Sequence, residues 1–312
     1  MTDLISLDTL TKIFQAANLG PVETVRQPAR GRVNHCLVIN EAHMIRFDVI
    51  GSSLGGCRFR SEEIAYNLLA GSPVPVPRII KLDVTQTLAP YPYLLTSKVP
   101  GAPVVDTWAE LTPAQQTHVA TQAGEYLARM HTFTFERFGK LRFVPDSGKD
   151  FRTWYGYVED FMLRFIKWGQ ELGIIDTALR ARLTGVLRKH KPLLDEVKQG
   201  ALVHHDYHFE NILQQAGEIT GIIDFEWALS GDPALDFHIT ETAEQMCPGS
   251  HEPFLAGYVK QRALPSGHAT RRLVYKLLNV LDEFVESYTD ERIEDHQHAR
   301  GELLALIAQL DS

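Results

Sequence analysis

The chain changes its hydrophobic period once, near residue 100, and that change constrains its architecture more than any other feature. Upstream, apolar residues come in short runs. His35-Cys36-Leu37-Val38-Ile39 and His43-Met44-Ile45-Arg46-Phe47 flank the polar turn Asn40-Glu41-Ala42 and predict an antiparallel hairpin. Leu4, Leu7, Leu10, Ile13 and Phe14 sit near helical spacing and predict a helix over 2–18. Ser61, followed by Glu62, Ile64, Ala65, Leu68 and Leu69, predicts a second helix, capped by that serine, which stops near Gly71 before the Pro73–Pro77 run. Strands are expected at 78–82 and 93–98.

Beyond Gly101 the apolar spacing becomes three to four residues, predicting helices over 113–132, 151–172, 176–198 and 269–288, the third broken at Pro192. Residues 201–226 are the exception. There Ala201-Leu202-Val203 and the 219–225 run bracket a polar loop, the pattern of a hairpin set among helices. The expected organisation is α+β and bilobal: a small β-rich lobe over 1–100, a hinge near 96–101, and a helical lobe over 102–312. A cleft would lie between them.

Several function classes are excluded. The formal net charge is −8, with a pI near 5.9. A nucleic-acid binder needs a basic face that this balance does not supply, whereas a cationic ligand would be matched. No stretch of about 18 apolar residues occurs, so no membrane-spanning helix is expected, and no basic-then-apolar leader opens the chain. Cys36, Cys57 and Cys247 are too few and too scattered for a disulfide framework or a zinc site, which fits a reducing cytoplasm.

The chemistry concentrates in two neighbouring segments, His204-His205-Asp206-Tyr207-His208-Phe209-Glu210-Asn211 and Ile222-Ile223-Asp224-Phe225-Glu226. Phosphoryl transfer needs one carboxylate to orient an attacking hydroxyl and accept its proton. It also needs a second carboxylate, with a carboxamide, to hold the Mg2+ that neutralises phosphate charge. Asp206 suits the first task; Asn211 and Asp224 suit the second. Asp224 ends an apolar strand pattern, which would present it rigidly. His204, two residues before Asp206, is placed to brace the loop through its ring, with acting as the base itself the alternative catalytic role. His205, His208 and His238 do not suggest zinc beside an oxygen-ligand Mg2+ site.

These segments resemble the aminoglycoside phosphotransferase family, and the resemblance extends over nearly the whole chain. The family's His, any residue, Asp, four residues, Asn pattern stands as His204, Asp206 and Asn211, and its Ile-Asp-Phe/Trp-Asp/Glu element as Ile223-Asp224-Phe225-Glu226. The resemblance implies loop brace, base and metal ligand for the first three, and the principal Mg2+ ligand for Asp224. Gly231-Asp232-Pro233 and Asp236 match structural residues that buttress the catalytic loop, and His131 matches a helix-end histidine with a packing role.

The resemblance further implies a protein-kinase-like fold with ATP between the lobes. Gly31-Arg32-Val33-Asn34-His35 is similar to the phosphate-covering loop, though with a single glycine, so Gly31 and Asn34 are placed at the nucleotide. Arg46 stands where the family often has a phosphate-binding lysine, keeping the charge with a longer, forked head. Its expected partner is Glu62, with Glu63 the alternative. The run from Tyr93 to Gly101 is similar to the hinge, which implies Thr96 as gatekeeper and the Ser97 carbonyl and Val99 amide as contacts of the adenine edge.

The implied reaction is transfer from ATP to a hydroxyl of a small molecule, an aminoglycoside-like amino sugar first. A macrolide, or a metabolite such as choline, homoserine or a sugar, is the alternative, as is a silent nucleotide-binding protein. Glu159, Asp160, Asp282, Glu283, Glu286, Asp290 and Glu291 lie where a cationic acceptor would bind, and as charged residues on helices they are equally placed to face solvent. Trp154, Tyr155, Tyr157 and Trp168 could stack on an acceptor, with core packing their commoner use.

Overall fold

The computed structural model describes residues 4–28, 34–49, 58–143, 150–237 and 240–312. Ser6 accepts the Thr9 amide and opens α1 (Leu7–Ala16), shorter than the span expected. β1 (Val25–Arg26), β2 (His35–Ile39) and β3 (His43–Phe47) follow. The expected hairpin is present, Leu37 opposite Ile45. Asn40 and Glu41 in its turn have φ of 54° and 52°, the left-handed pair that a tight hairpin requires. α2 (Phe59–Leu69) starts before Ser61, which is buried in its first turn and does not cap it. Packing of Phe59 and Tyr66 fixes this helix instead.

β4 (Ile79–Asp83) and β5 (Tyr93–Ser97) complete a five-stranded antiparallel sheet in the order β1-β2-β3-β5-β4. Side chains alternate across it. Leu37, Ile45, Phe47, Tyr93 and Leu95 bury one face against Leu10, Ile13 and Phe14 of α1, at about 1.5–3 kcal/mol for each large apolar side chain. Arg46, between Ile45 and Phe47, is therefore delivered to the other face, where α2 lies.

After the hinge, β6 (Ala102–Pro103), α3 (Val104–Thr107) and α4 (Pro113–Met130) lead to β7 (Thr134–Phe135), β8 (Gly139–Lys140), α5 (Trp154–Glu171) and α6 (Thr177–Leu194). Next come β9 (Gly200–Val203), β10 (Ile212–Gln215), β11 (Glu218–Ile222) and β12 (Leu229–Gly231). α7 (Thr240–Met246), α8 (His251–Gln261), α9 (His268–Thr289) and α10 (Ile293–Asp311) end the chain. Thr112 and Gln115 form a reciprocal capping box on α4. α6 does not break at Pro192, which lies in its last turn. The ring removes one donor from the exposed Arg188 carbonyl, which water can satisfy.

The 201–226 segment differs from its expected hairpin. β9 pairs with β7 and β12 in a four-stranded sheet ordered β7-β9-β12-β8, while β10 pairs with β11 and β6 in another. Strand pairing is set by distant partners, so two apolar runs close in sequence need not meet. The result is favourable for a site: two separate sheets deliver the catalytic loop and Asp224. Among the described residues, no helix is long and apolar enough to cross a membrane.

The hinge is clamped to β10 and β11. Thr220 donates to the Pro100 carbonyl at 2.6 Å, and Val99 packs so closely over Gly221 that a Cβ there would lie 2.5 Å from its methyl. Gly101 has φ +97°, and a Cβ on it would sit 2.3 Å from the Gln214 carbonyl oxygen. Gly101→Ala is therefore expected to lose about 1–3 kcal/mol of stability, read as a lowered urea midpoint with unchanged slope.

Candidate active site

β9 ends at Val203, and the next two backbone amides are seized by one carboxylate. Asp236, fully buried, accepts from His204 N at 2.9 Å and from His205 N at 2.7 Å. It also faces His131 Nε2 at 3.0 Å, whose other ring nitrogen meets the Tyr258 hydroxyl at 2.9 Å. His131 is thus a packing residue, as expected. Asp232 accepts from Tyr275 Oη at 2.5 Å and from Ala234 N at 3.0 Å. These contacts hold His205 at φ +69°, a costly conformation for a non-glycine residue.

His204 is wholly buried and uses both ring nitrogens. Nδ1 accepts the Asp206 amide at 3.2 Å, and Nε2 donates to the Ile223 carbonyl at 3.0 Å. The ring ties the catalytic loop to the strand that carries Asp224. Burial lowers its pKa, with the carboxylates of Asp236, Asp206 and Asp224 opposing. A neutral imidazole with no free nitrogen is a brace.

Asp206 is braced on both oxygens. Asn211 Nδ2 donates to Oδ2 at 2.8 Å and to the Asp206 carbonyl at 3.0 Å, and His208 Nε2 lies 3.3 Å from Oδ1. His208 Nδ1 accepts the Glu210 amide at 3.2 Å, which leaves the proton on Nε2, pointed at Asp206. Burial would raise the Asp206 carboxyl, but the His208 contact and the Asn211 hydrogen bond outweigh it and hold the group below its ordinary value. The side chain remains 33% exposed, so an ionised, oriented carboxylate is open to an incoming hydroxyl.

Across the cleft, Arg46 pairs with Glu62, which is completely buried, and lies 3.8 Å from Asp224 Oδ1. Glu63 instead faces Arg60 at 3.9 Å, so the partner of Arg46 is Glu62. Tyr66, one helical turn beyond Glu62, donates to Glu62 Oε2 at 2.9 Å and accepts the Asp224 amide at 3.1 Å. Burial pushes the Glu62 carboxyl up to about 7, with Arg46 pulling it back and Asp224 adding to the rise. Asp224 itself sits at φ +69°.

Glu62, Asp224 and Glu226 bring one carboxylate oxygen each within 4.8 Å of one another. Glu62 Oε1 and Asp224 Oδ1 are buried without hydrogen-bond partners. A crowd of oxygen donors with orphaned atoms fits a hard divalent cation. Asn211, whose amide nitrogen is spent on Asp206, keeps its oxygen as a further acceptor.

Asn34 donates to Glu226 Oε2 at 3.3 Å, which joins the strand-side loop to the Asp224 segment. Gly31 lies outside the described residues, as do Cys57 and His238. Thr96 is buried in β5 opposite Met44. Ser97 donates its amide to the Arg78 carbonyl at 2.8 Å and accepts the Arg78 amide on its hydroxyl at 2.9 Å. Val99 follows at the hinge. Sequence reasoning missed Tyr66 and Arg58, the 3.3 Å partner of Glu226, and gave Glu226 no role of its own. Tyr66 had a signal, its i+4 spacing from Glu62; Arg58 had none.

The profile of the phosphotransferase enzyme family matches residues 58–274, more than half of the chain. The chain belongs to that family of phosphotransferase enzymes. Solved structures agree in fold. A thermostable mutant of aminoglycoside phosphotransferase APH(4)-Ia superposes with TM-score 0.69 at 16% identity, covering 97% of this chain and 99% of that one. The gentamicin complex of APH(2")-IIa gives TM-score 0.70 at 14% identity over 94% and 95% of the two chains. The GDP and kanamycin complex of APH(2")-IIia gives 0.67 at 17% over 97% and 99%. The fold is that of the aminoglycoside kinases.

Replacing Asp236 by alanine would strand two buried amides and the His131 ring. With about 1–3 kcal/mol for each unsatisfied buried group, Asp236→Ala is expected to lose roughly 2–5 kcal/mol, measured by chemical denaturation.

Proposed function

We propose that the protein transfers the γ-phosphoryl group of ATP, as its Mg2+ complex, to a hydroxyl of a small molecule. The observation that carries this reading is the convergence of a doubly braced, partly exposed Asp206 with the Arg46–Glu62–Asp224 cluster, across loops locked together by His204. In this reading Asp206 orients the acceptor hydroxyl and takes its proton. The acceptor oxygen bonds to the γ-phosphorus as the bond to the β–γ bridging oxygen breaks, and ADP leaves with that electron pair. No covalent intermediate on the protein is needed.

Asn211 and Asp224 hold Mg2+, with the Glu62 and Glu226 carboxylates beside them. When bound, the cation neutralises charge on the phosphates and orients them. Arg46, fixed in place by Glu62, grips phosphate oxygens with its fork. Asn34 belongs to the loop over the phosphates, and Thr96, Ser97 and Val99 to the adenine edge. Residues 1–100 form the nucleotide lobe and 102–312 the catalytic and acceptor lobe. His204 is a positioning residue. The free thiols of Cys36 and Cys247 suit a reducing cytoplasm.

Mg2+-dependent ADP release on a panel of hydroxylated acceptors, run beside Asp206→Ala, tests this. One acceptor should stimulate release in the wild type, and the variant should lose roughly 100- to 10,000-fold in kcat with its fold intact. EDTA should abolish release in both. Near-wild-type turnover by Asp206→Ala would contradict the proposed role, and tight ATP binding without turnover on any acceptor would point to a nucleotide-binding protein.

A further inference from the structure

Lys140 takes no part in the chemistry above, yet it stands beside the catalytic loop. Val203, Leu229 and Lys140 are register partners across β9, β12 and β8. With strands about 4.8 Å apart, the Lys140 backbone lies roughly 10 Å from the end of the strand that launches His204. Its stem carries the ammonium back. Nζ reaches to 3.5 Å from His205 Nδ1, next to Asp206, and to 3.4 Å from the Trp227 carbonyl, just past Glu226. It also lies 5.1 Å over the Trp227 ring, which Arg58 approaches at the same distance.

None of these partners is a carboxylate. Among the described residues no carboxylate comes within ion-pair distance of Lys140. Burial, then the charges of Arg142 and Arg164, pull its pKa down to about 7, and Asp282 opposes them. Asp282 is a poor counter-ion, because burial and Glu286 push its own carboxyl up to about 7. None of these groups belongs to the Arg46 cluster, so the ammonium lies outside the set of charges that serves the nucleotide.

A half-buried ammonium with no carboxylate partner destabilises a fold, and such a group is retained where a ligand completes it. Three of the acids that would greet a polycation are engaged elsewhere. Glu159 accepts from Tyr155 at 2.8 Å, Asp160 from Arg164 at 2.9 Å and Glu283 from Arg292 at 2.7 Å. Resting on the kinase reading above, we propose that Lys140 binds an anionic group of the acceptor, carboxylate or phosphate, so that the substrate is a hydroxylated anion and not a polycationic amino sugar. Trp227, 37% exposed, supplies the flat apolar wall beside it.

The test is steady-state phosphorylation of D-glycerate, glucose 6-phosphate, choline and kanamycin by the wild type, Lys140→Met and Lys140→Arg. The wild type should prefer one of the anions, glycerate marking a carboxylate site and the sugar phosphate a phosphate site. Lys140→Met should raise KM for that anion about 10- to 100-fold, leave KM for ATP unchanged, and be at least as heat-stable as the wild type without acceptor. Lys140→Arg should restore part of the affinity. Turnover of kanamycin or choline alone overturns the inference and leaves the kinase reading intact. A kcat loss shared by all acceptors, or a changed KM for ATP, also overturns it, since Lys140 would then serve the phosphates. Turnover of no acceptor overturns the kinase reading and this inference together.

Discussion

One buried carboxylate sets the geometry of the site. Asp236 takes the His204 and His205 amides, and without that grip the catalytic loop would have no reason to leave β9 with a left-handed residue at 205. From there the constraints run in sequence. His204 is fixed by the loop and in turn donates to the Ile223 carbonyl, which sets the height of Asp224 relative to Asp206. Tyr66 catches the Asp224 amide from the other side and links it to Glu62 and so to Arg46. Asp206, the acid cluster and Arg46 therefore belong to one connected hydrogen-bond network, although they come from different sheets and α2.

The cost is visible in the same place. Two non-glycine residues sit at positive φ, buried carboxylates are crowded together, and Glu62 Oε1 and Asp224 Oδ1 lack hydrogen-bond partners. Each would be a defect in a purely structural core. Together they describe a site organised for charges that arrive with a ligand, where preorganised groups need not rearrange when it binds. The stability comes from elsewhere: the α1-backed sheet, the α5, α6, α9 and α10 packing, and the core shared by α2 and α4.

Much of this was legible in the sequence because the reacting groups are spaced by local geometry. A histidine two residues before Asp206 and a carboxamide five residues after it, both bonded within that loop, can be read in one short segment. Asp224 was legible because an apolar strand leads into it, and the β2–β3 hairpin because its turn chemistry and alternation agree. What escaped notice depends on distant parts of the chain. The partner of β9 is β12, not the nearer β11, and nothing in either segment announces that. Pro192 reads as a helix breaker until the last turn and the exposed Arg188 carbonyl are known. Lys140 and Trp227 are far apart in sequence and meet only because β8 and β12 pair.

In the proposed function two carboxylates divide the labour, Asp206 for the acceptor and Asp224 for the metal-bound nucleotide, and calorimetric titration with a Mg2+-loaded, non-hydrolysable ATP analogue tests that division directly. Asp206→Ala should bind the analogue nearly as the wild type does while failing to turn over ATP, and Asp224→Ala should lose most of its Mg2+-dependent affinity. Equal loss of binding in both variants, or full Mg2+-dependent affinity in Asp224→Ala, would contradict it.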